Sequence, residues 1–466
     1  MDRGNSTSRR AAVRRVLTPS RLLLGSFLTL IAFGTLGLKL LPGLYTGEGL
    51  GWIDALFTAT SAVCVTGLIV VDTATYFTLW GQAFLLLLIQ LGGLGILTFT
   101  TLLILAVGGR LSLHHEAVTA THTDVSPDID FRHLVRTIVV FTFVFEAIGA
   151  IVLFLAFAPR FPTATATWHA VFQAISAFCN AGFSTFSDSL LGFQGAPVVQ
   201  GVVMVLIVLG GLGFLVLEEV NLFRRRRMEG RRVTLSLHSK LALATTAVLL
   251  LGGWLMFSAL EWTNTLGDMA VWQKLMNGLF MSVTARTAGF NTVDYAATAD
   301  SSNFITILLM SVGGSPGSTA GGIKTTTFAL IGLLALSRLR GRQVTSVGNR
   351  TIPEETIQRA VGLFVVAFAI VTSGILLYAV LQIGAVGHGE AGGSFIQYMF
   401  EGVSAFNTVG LSMGVTGDLS GASRLVTVFL MYVGRVGPLS FAAAIALRRP
   451  SATGEFRYAY EDVIIG

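Results

Sequence analysis

Charge is what this chain has least of. Asp, Glu, Lys and Arg make up 12% of its 466 residues, against about 25% in soluble domains. That scarcity excludes a soluble globule with an ordinary surface. Cysteine is almost missing too. Cys64 and Cys179 are the whole complement, too few for a disulfide framework, and each reads as a small buried side chain. The seven histidines show no zinc spacing, and His114, His115, His122 and His133 fall in a polar stretch that reads as solvated loop. The net charge of +6 is confined to a few stretches, which excludes a basic nucleic-acid face.

What is present is apolar sequence. Hydrophobic residues are 53% of the chain and the mean hydropathy is +0.73. Runs at 22–44, 138–157, 198–217 and 361–381 reach the roughly 20 residues that span a bilayer. The first is too long for a signal peptide, although a basic segment precedes it. Between the runs arginine clusters: Arg9, Arg10, Arg14, Arg15 and Arg21, then Arg224 to Arg227 with Arg231 and Arg232, then Arg338, Arg340, Arg342 and Arg350, then Arg448 and Arg449. Connections such as 44–52 and 384–394 are nearly free of Lys and Arg. Positive segments stay inside, so both termini are expected to be cytoplasmic.

Four short stretches resemble one another: SAVCVTG ending at Gly67, SAFCNAG at Gly182, VTARTAG at Gly289 and SAFNTVG at Gly410, spaced 115, 107 and 121 residues apart. A bulky apolar residue follows each glycine, and an acidic residue comes soon after: Asp72, Asp188, Asp294 and Asp418. A second glycine signal lies further on, at Gly92-Gly93-Leu94-Gly95, Gly210-Gly211-Leu212-Gly213, Gly313-Gly314 and Gly434-Arg435-Val436-Gly437. Before each loop a short amphipathic stretch starts near Trp52, Trp168, Trp272 or Phe395. At about 14 residues such a stretch is roughly 21 Å long, enough to enter a membrane and stop midway. Irregular backbone at that depth must be buried or line a cavity.

The pattern predicts an all-α integral membrane protein of four tandem repeats, each a span, a pore helix, a loop and a span, around one pseudo-fourfold pore. That makes eight membrane spans and four re-entrant helices. The arginine-rich connections keep all repeats in one orientation, so they are parallel rather than inverted. The expected organisation is a cytoplasmic segment 1–20, repeat 1 at 21–108, a linker 109–133, repeat 2 at 134–222, a linker 223–238, repeat 3 at 239–337, a linker 338–356, repeat 4 at 357–447 and a tail 448–466.

The loop tips are Val65-Thr66-Gly67, Asn180-Ala181-Gly182, Thr287-Ala288-Gly289 and Asn407-Thr408-Val409-Gly410. None carries a carboxylate. Backbone carbonyls can replace the hydration shell of a cation without adding net charge, and glycine admits the backbone angles that turn them inward. The short helices would aim their negative C-terminal ends at the same place. One glycine alone reads as a turn or a packing contact; four at equivalent positions read as a ring.

The third repeat departs from the others. Its second span is interrupted by Gly313-Gly314-Ser315-Pro316-Gly317-Ser318-Thr319-Ala320-Gly321-Gly322, which cannot form a stable helix. The segment lacks the lysine spacing and preceding strand of a phosphate loop. Lys324 follows it, and Arg435 interrupts the last span. A charge at the membrane centre costs about 3 kcal/mol or more and normally faces protein or a cavity. Arg435 either borders the pore or pairs with Glu401 or Glu146. Arg286 reads as a brace for the third loop, since a fixed cation among ligands would repel an ion.

A unit of span, pore helix, filter loop and span, present four times with one filter glycine each, resembles the Trk/Ktr/HKT superfamily of potassium transporters. The most specific pieces are Thr284-Ala285-Arg286-Thr287-Ala288-Gly289-Phe290-Asn291 and the segment 313–327. The direct start on the first repeat and the acidic-apolar end at Glu461, Asp462, Ile464 and Ile465 look most like the Ktr membrane subunit (KtrB type). The resemblance implies potassium uptake driven by the membrane potential, with sodium dependence in some systems. Relatives with serine at the first filter position tend to pass sodium; this chain has Gly67. It also implies that 313–322 is an intramembrane gate below the filter, with Lys324 and Arg435 beside it. It implies a homodimer in a bacterial plasma membrane, on a cytoplasmic nucleotide-binding ring (KtrA type). The basic loops 224–232 and 338–350 read either as docking surfaces for it or as ordinary positive-inside loops. No cofactor is expected in this chain: potassium, and in some systems sodium, is the substrate, and ATP, ADP or NAD would be sensed by the partner. Two other readings stay open: a sodium-selective or poorly selective conduit of the same fold, and an intramembrane serine hydrolase using Ser315 with His169 or His238 as base.

Overall fold

The computed structural model describes residues 19–106, 131–230, 233–347, 350–384 and 394–437. Most of the segment 1–20 and of the linker 109–133, Arg231, Arg232, the last part of repeat 4 and the whole tail 448–466 with Ile464 and Ile465 lie outside the described residues.

Helices account for nearly all of the regular structure. The first unit holds α1 (Pro19–Leu40), α2 (Trp52–Val63) and α3 (Leu79–Ala106). The second holds α4 (Phe131–Phe157), α5 (Thr163–Cys179), α6 (Pro197–Leu212) and α7 (Phe214–Met228). The third holds α8 (Leu237–Glu261), α9 (Val271–Thr284), α10 (Asp300–Met310) and α11 (Thr325–Leu339). The fourth holds α12 (Glu354–Tyr378), α13 (Ser394–Phe406) and α14 (Gly421–Val436). A two-residue hairpin, β1 (Ser346–Val347) against β2 (Arg350–Thr351), lies between the third and fourth units.

Outward faces are apolar. Leu28, Phe33 and Leu36 on α1, Ile148, Ile151 and Leu155 on α4, and Leu251 and Leu255 on α8 are half exposed or more. Such faces are costly in water and cost little in lipid, whose tails are as apolar as leucine. Inward positions carry small residues instead. In α2 the outer end is exposed at Trp52, whereas Ala55 and then Phe57 through Val63 are buried without a break. The helix therefore points its C-terminal end at the centre of the molecule. α5 and α9 show the same gradient.

Among the described residues, four helices are long and apolar enough to cross a membrane: those covering Leu23–Leu40, Arg136–Phe157, Leu237–Glu261 and Glu354–Ile383. The bent pair Pro197–Leu212 and Val216–Met228 makes a fifth if taken as one span. The unbroken run expected at 198–217 is thus two helices meeting at 97°. The break is at Gly213, whose φ of +83° suits a residue without a side chain. A Cβ there would lie 2.7 Å from the carbonyl oxygen of Pro316, and the next N–H, that of Phe214, donates to Gly317 at 3.2 Å. Hydropathy runs smoothly across this point and gives no sign of the bend.

Candidate functional site

The four repeat glycines meet. A Cβ built on Gly67 would strike the carbonyl oxygen of Ala181, and one on Gly182 would lie 3.0 Å from that of Ala288. One on Gly289 would lie 2.7 Å from that of Val409, and one on Gly410 would strike that of Thr66. Each glycine therefore faces the carbonyl just before the next glycine, and the circle closes in chain order. All four have positive φ, from +72° to +94°.

Two residues before each glycine the backbone is left-handed again, at Val65 (φ 55°), Asn180 (60°), Thr287 (67°) and Thr408 (51°). None of these is glycine, and for branched side chains such a conformation is a genuine outlier. The residue between, such as Thr66, keeps negative φ. A strand with φ of one sign turns successive carbonyls to opposite sides; alternating signs bring them to one side. Strain of about 1–3 kcal/mol per residue persists only where its surroundings enforce it.

Hydroxyl groups supply part of that enforcement. The N–H before each glycine donates to the carbonyl of a Ser or Thr at the end of the short helix: Thr66 to Ser61, Ala181 to Ser176, Ala288 to Thr284 and Val409 to Ser404. The same side chains reach past the glycine. Ser61 donates to Leu68 O and Ser176 to Phe183 O, each at 2.7 Å, and Thr284 donates to Phe290 O at 2.5 Å. Ser404 accepts from Gly410 N–H at 3.1 Å. All four residues lie inside the repeat stretches read from the sequence, and three of them recur six positions before the glycine, but that reading gives them no role of their own; inside a helix a lone hydroxyl carries no label. In the third unit the clamp is one residue nearer, so its loop is one residue tighter.

Outside the ring a vestibule of about 410 Å³ is lined by the four glycines together with Asp72, Asp188 and Asp294. Asp418 is not part of this lining; it belongs to the turn Thr416–Asp418, and Thr416 and Gly417 line the wall there instead. Asp72 accepts from Ser187 of the second unit at 2.6 Å and from Thr75 at 2.7 Å. Partial burial alone would raise its carboxyl; the bonds from Ser187, Thr75 and Ala74 outweigh that and hold it below its ordinary range.

Behind the ring lies the segment 313–322 of the third unit, stitched to the second and fourth units. Ser315 N–H donates to Gly211 O at 2.9 Å and Thr319 N–H to Gly210 O at 3.2 Å. Gly322 N–H donates to Gly434 O at 3.3 Å. Cβ atoms on Gly321 and Gly322 would collide with the side chains of Thr408 and Asn407, so the segment lies directly against the fourth loop. It folds on itself through Gly313 N–H to Ile323 O at 2.7 Å and Gly314 O from Thr325 N–H at 3.0 Å. Pro316 and Gly317 face Gly213, and Ala320 is buried.

Three cations hold this segment by its carbonyls, Arg286 and Arg435 buried and Lys324 half-buried. Arg286 donates to Gly313 O at 2.6 Å, Lys324 to Ala320 O at 2.6 Å, and Arg435 to Thr319 O and, at 3.0 Å, to Gly92 O of the first unit. The pairing of Arg435 with Glu401 or Glu146 does not occur among these contacts. Glu146 accepts from Gln90 at 3.1 Å, and Glu401 accepts from Ser412 and Thr416. Arg286 braces the start of the segment rather than the third loop alone. Buried oxygens without a partner also gather here: the hydroxyls of Thr66, Thr287, Thr408 and Ser318, and Asn407 Oδ1.

The other glycine signals are packing positions. Cβ atoms on Gly92, Gly210 and Gly434 would strike the carbonyl oxygens of Val63, Phe178 and Phe406, near the inner ends of α2, α5 and α13. Gly313 differs and faces Gly321 O in its own segment. For the hydrolase reading, Ser315 bonds Thr325 at 3.2 Å, while His169 bonds Thr185 at 2.7 Å; among the described residues no hydrogen bond joins Ser315 to a histidine.

An apolar helical bundle that gathers four strained, carbonyl-bearing loops on one axis, below an acid-rimmed mouth, has the makings of a membrane passage for cations. The chain belongs to the TrkH family of cation transport proteins, which matches residues 26–455. It is 36% identical to the potassium/sodium uptake protein NtpJ of Enterococcus hirae, over 97% of this chain and 98% of that protein. It is 37% identical to the Ktr system potassium uptake protein B of Bacillus subtilis, over 97% of each chain. The corresponding protein of Vibrio alginolyticus is also 37% identical, over 96% of this chain and 94% of its own length. The crystal structure of the potassium transporter TrkH from Vibrio parahaemolyticus shares the fold, with a TM-score of 0.71 at 16% identity over 93% of this chain and 86% of that one. The family is one of multi-pass membrane transporters, not of enzymes.

Proposed function

We propose that this chain takes up potassium across a bacterial plasma membrane, driven by the membrane potential. The ring of Gly67, Gly182, Gly289 and Gly410 is its filter. The observation that carries this reading is the closed circle, in which each glycine faces the carbonyl before the next. Such a ring can strip and replace a hydration shell while the three vestibule aspartates raise the local cation concentration. The unpaired hydroxyls of Thr66, Thr287 and Thr408 add lone pairs next to the carbonyls. The names of the relatives support potassium as substrate.

The segment 313–322 is the gate in this reading. It lies against the fourth loop and is tied by Arg286, Lys324 and Arg435. Opening requires those carbonyl ties to be released. A "Ktr system" relative has further components by name, and a cytoplasmic nucleotide-binding ring and a homodimer are the partners proposed here. The eight-span count, the boundaries of the four repeats and cytoplasmic termini belong to the same proposal.

A second reading has its own support: one relative is named for potassium and sodium. Potassium-dependent growth of an uptake-deficient bacterium expressing this chain, with parallel measurement of sodium uptake, separates the two. Gly67→Ser is expected to lower the potassium-to-sodium ratio by about tenfold, since its side chain would strike Ala181 O. A ratio unchanged by substitution at all four glycines sinks the filter assignment.

A further inference from the structure

The ring is fourfold in its glycines and twofold in what stands behind them. Nine residues before each glycine, on the short helix, stand Thr58, Gln173, Phe280 and Glu401. Two residues after each glycine, at the mouth, stand Ile69, Ser184, Asn291 and Ser412. Only the second and fourth units join these positions. Gln173 Nε2 donates to Ser184 Oγ at 2.7 Å, and Ser412 Oγ donates to Glu401 Oε1.

The two arrangements match in further detail. Ser184 Oγ accepts from Phe186 N–H at 3.0 Å, and Ser412 Oγ accepts from Gly414 N–H at 2.9 Å, each two residues on. Gln173 and Glu401 are both fully buried, at 0% exposure. Ser184 and Ser412 both line the vestibule. In the first unit the Thr58 hydroxyl is buried without a partner, and in the third Phe280 has no polar group to offer.

We propose that Gln173 and Glu401 are positioning residues that pin the outer mouth of the ring at two opposite quadrants, and so set its ion selectivity. The proposal rests on the filter reading above. The second and fourth glycines alternate with the first and third around the circle, so the pinned quadrants face one another across the axis. Burial of a carboxylate is tolerated only with hydrogen-bond donors. Thr416 Oγ1 lies 3.0 Å from both Glu401 Oε2 and Ser412 Oγ, so its single proton gives Glu401 a second donor, shared with Ser412. An intended cation partner for Glu401 is not needed: its oxygens are occupied by the loop that it holds. The polarity is reversed between the units. Gln173 donates to its serine, whereas Glu401 accepts from its own. Each bond ties a short helix, fixed in the core, to the first polar residue of the vestibule wall.

The test is the ratio of potassium to sodium uptake in cells, with protein level and monodispersity measured alongside. Glu401→Ala and Ser412→Ala remove the same bond from its two ends. Both are expected to lower the ratio by about tenfold, the scale of one lost charge-assisted hydrogen bond. Their double variant should do no worse than the larger single effect. Gln173→Ala and Ser184→Ala should act alike at the opposite quadrant. Glu401→Gln, which gives the fourth unit the second unit's side chain, should recover most of the lost selectivity. Thr58→Val and Phe280→Leu are the controls at the unpinned quadrants and should leave the ratio unchanged.

Where Glu401→Ala yields no folded protein, the vestibule-side variants Ser412→Ala and Ser184→Ala carry the test alone. Unchanged ratios in both serine variants overturn the proposal. So does an equal loss of selectivity in the Thr58 and Phe280 controls. If Gly67→Ser shifts the ratio while the serine variants do not, the clamp fails and the filter stands. If neither shifts it, the filter reading has failed.

Discussion

The second long helices of the first and third units begin alike and end differently. α3 carries Gly92 against Val63 O, near the inner end of its own unit's short helix, and continues as helix to Ala106. In the third unit the corresponding helix, α10, ends at Met310, and Gly313 faces Gly321 O. The same small residue lets two helices touch in one unit and lets a chain fold back on itself in the other. The difference does not come from the glycine, which both share. It comes from Pro316 and the glycines around it, which remove the helical alternative.

The strongest way to break this comparison is to treat both glycines alike. Gly92→Leu would drive its side chain into the Val63 carbonyl, and Gly434→Leu would do the same at Phe406. A loss of about 3 kcal/mol or more is expected, read as aggregation or a collapsed melting temperature in detergent. Normal assembly of Leu variants at Gly92, Gly210 and Gly434 would remove the packing argument. Next in size is deletion of 314–321. If the segment obstructs the pore, the inserted protein should pass potassium about tenfold faster, the effect of removing about 1.4 kcal/mol of barrier. Unchanged or slower flux in monodisperse protein would mean that the break serves packing alone.

The smallest effect is expected at the mouth. Asp72→Asn should reduce uptake by less than about threefold at low ionic strength, and the deficit should vanish at high salt. Its pH behaviour has a definite sign. The folded carboxyl titrates below its ordinary value, which is about 3.9. Its stabilising contribution is therefore complete above that value and is lost only as pH falls through the lower folded one. Uptake between about pH 5 and pH 8 should show no titration from Asp72; a step in that range that disappears in Asp72→Asn would show that its bonds to Ser187 and Thr75 do not persist in the working protein.

Sequence was most informative where backbone chemistry allows one residue type. The ring glycines and the segment 313–322 stand out because only glycine tolerates the close approaches found there. It was least informative where ordinary residues do unusual things. Val65, Thr287 and Thr408 are left-handed without being glycine, and no propensity marks them; only Asn180 among the four is a residue type that favours this region. The bend at Gly213 is imposed by Pro316 and Gly317 from another unit, so its cause lies about 100 residues away in the sequence and not in local hydropathy. Arg435 was expected either beside a pore or paired with a carboxylate; the carboxylate pairing is absent from its contacts, and it bonds two backbone carbonyls. Carbonyl acceptors are available everywhere in a chain and so leave no trace in composition.

The order in which the ring closes has a genetic consequence. In a passage assembled from four identical chains, one codon change edits all quadrants together. Here Gly67, Gly182, Gly289 and Gly410 are four separate codons, so each quadrant drifts alone, and a substitution that would be lethal in fourfold dose can be sampled once. A span broken in a single unit and helix-to-mouth hydrogen bonds made in only two are arrangements that a symmetric assembly has no means of writing.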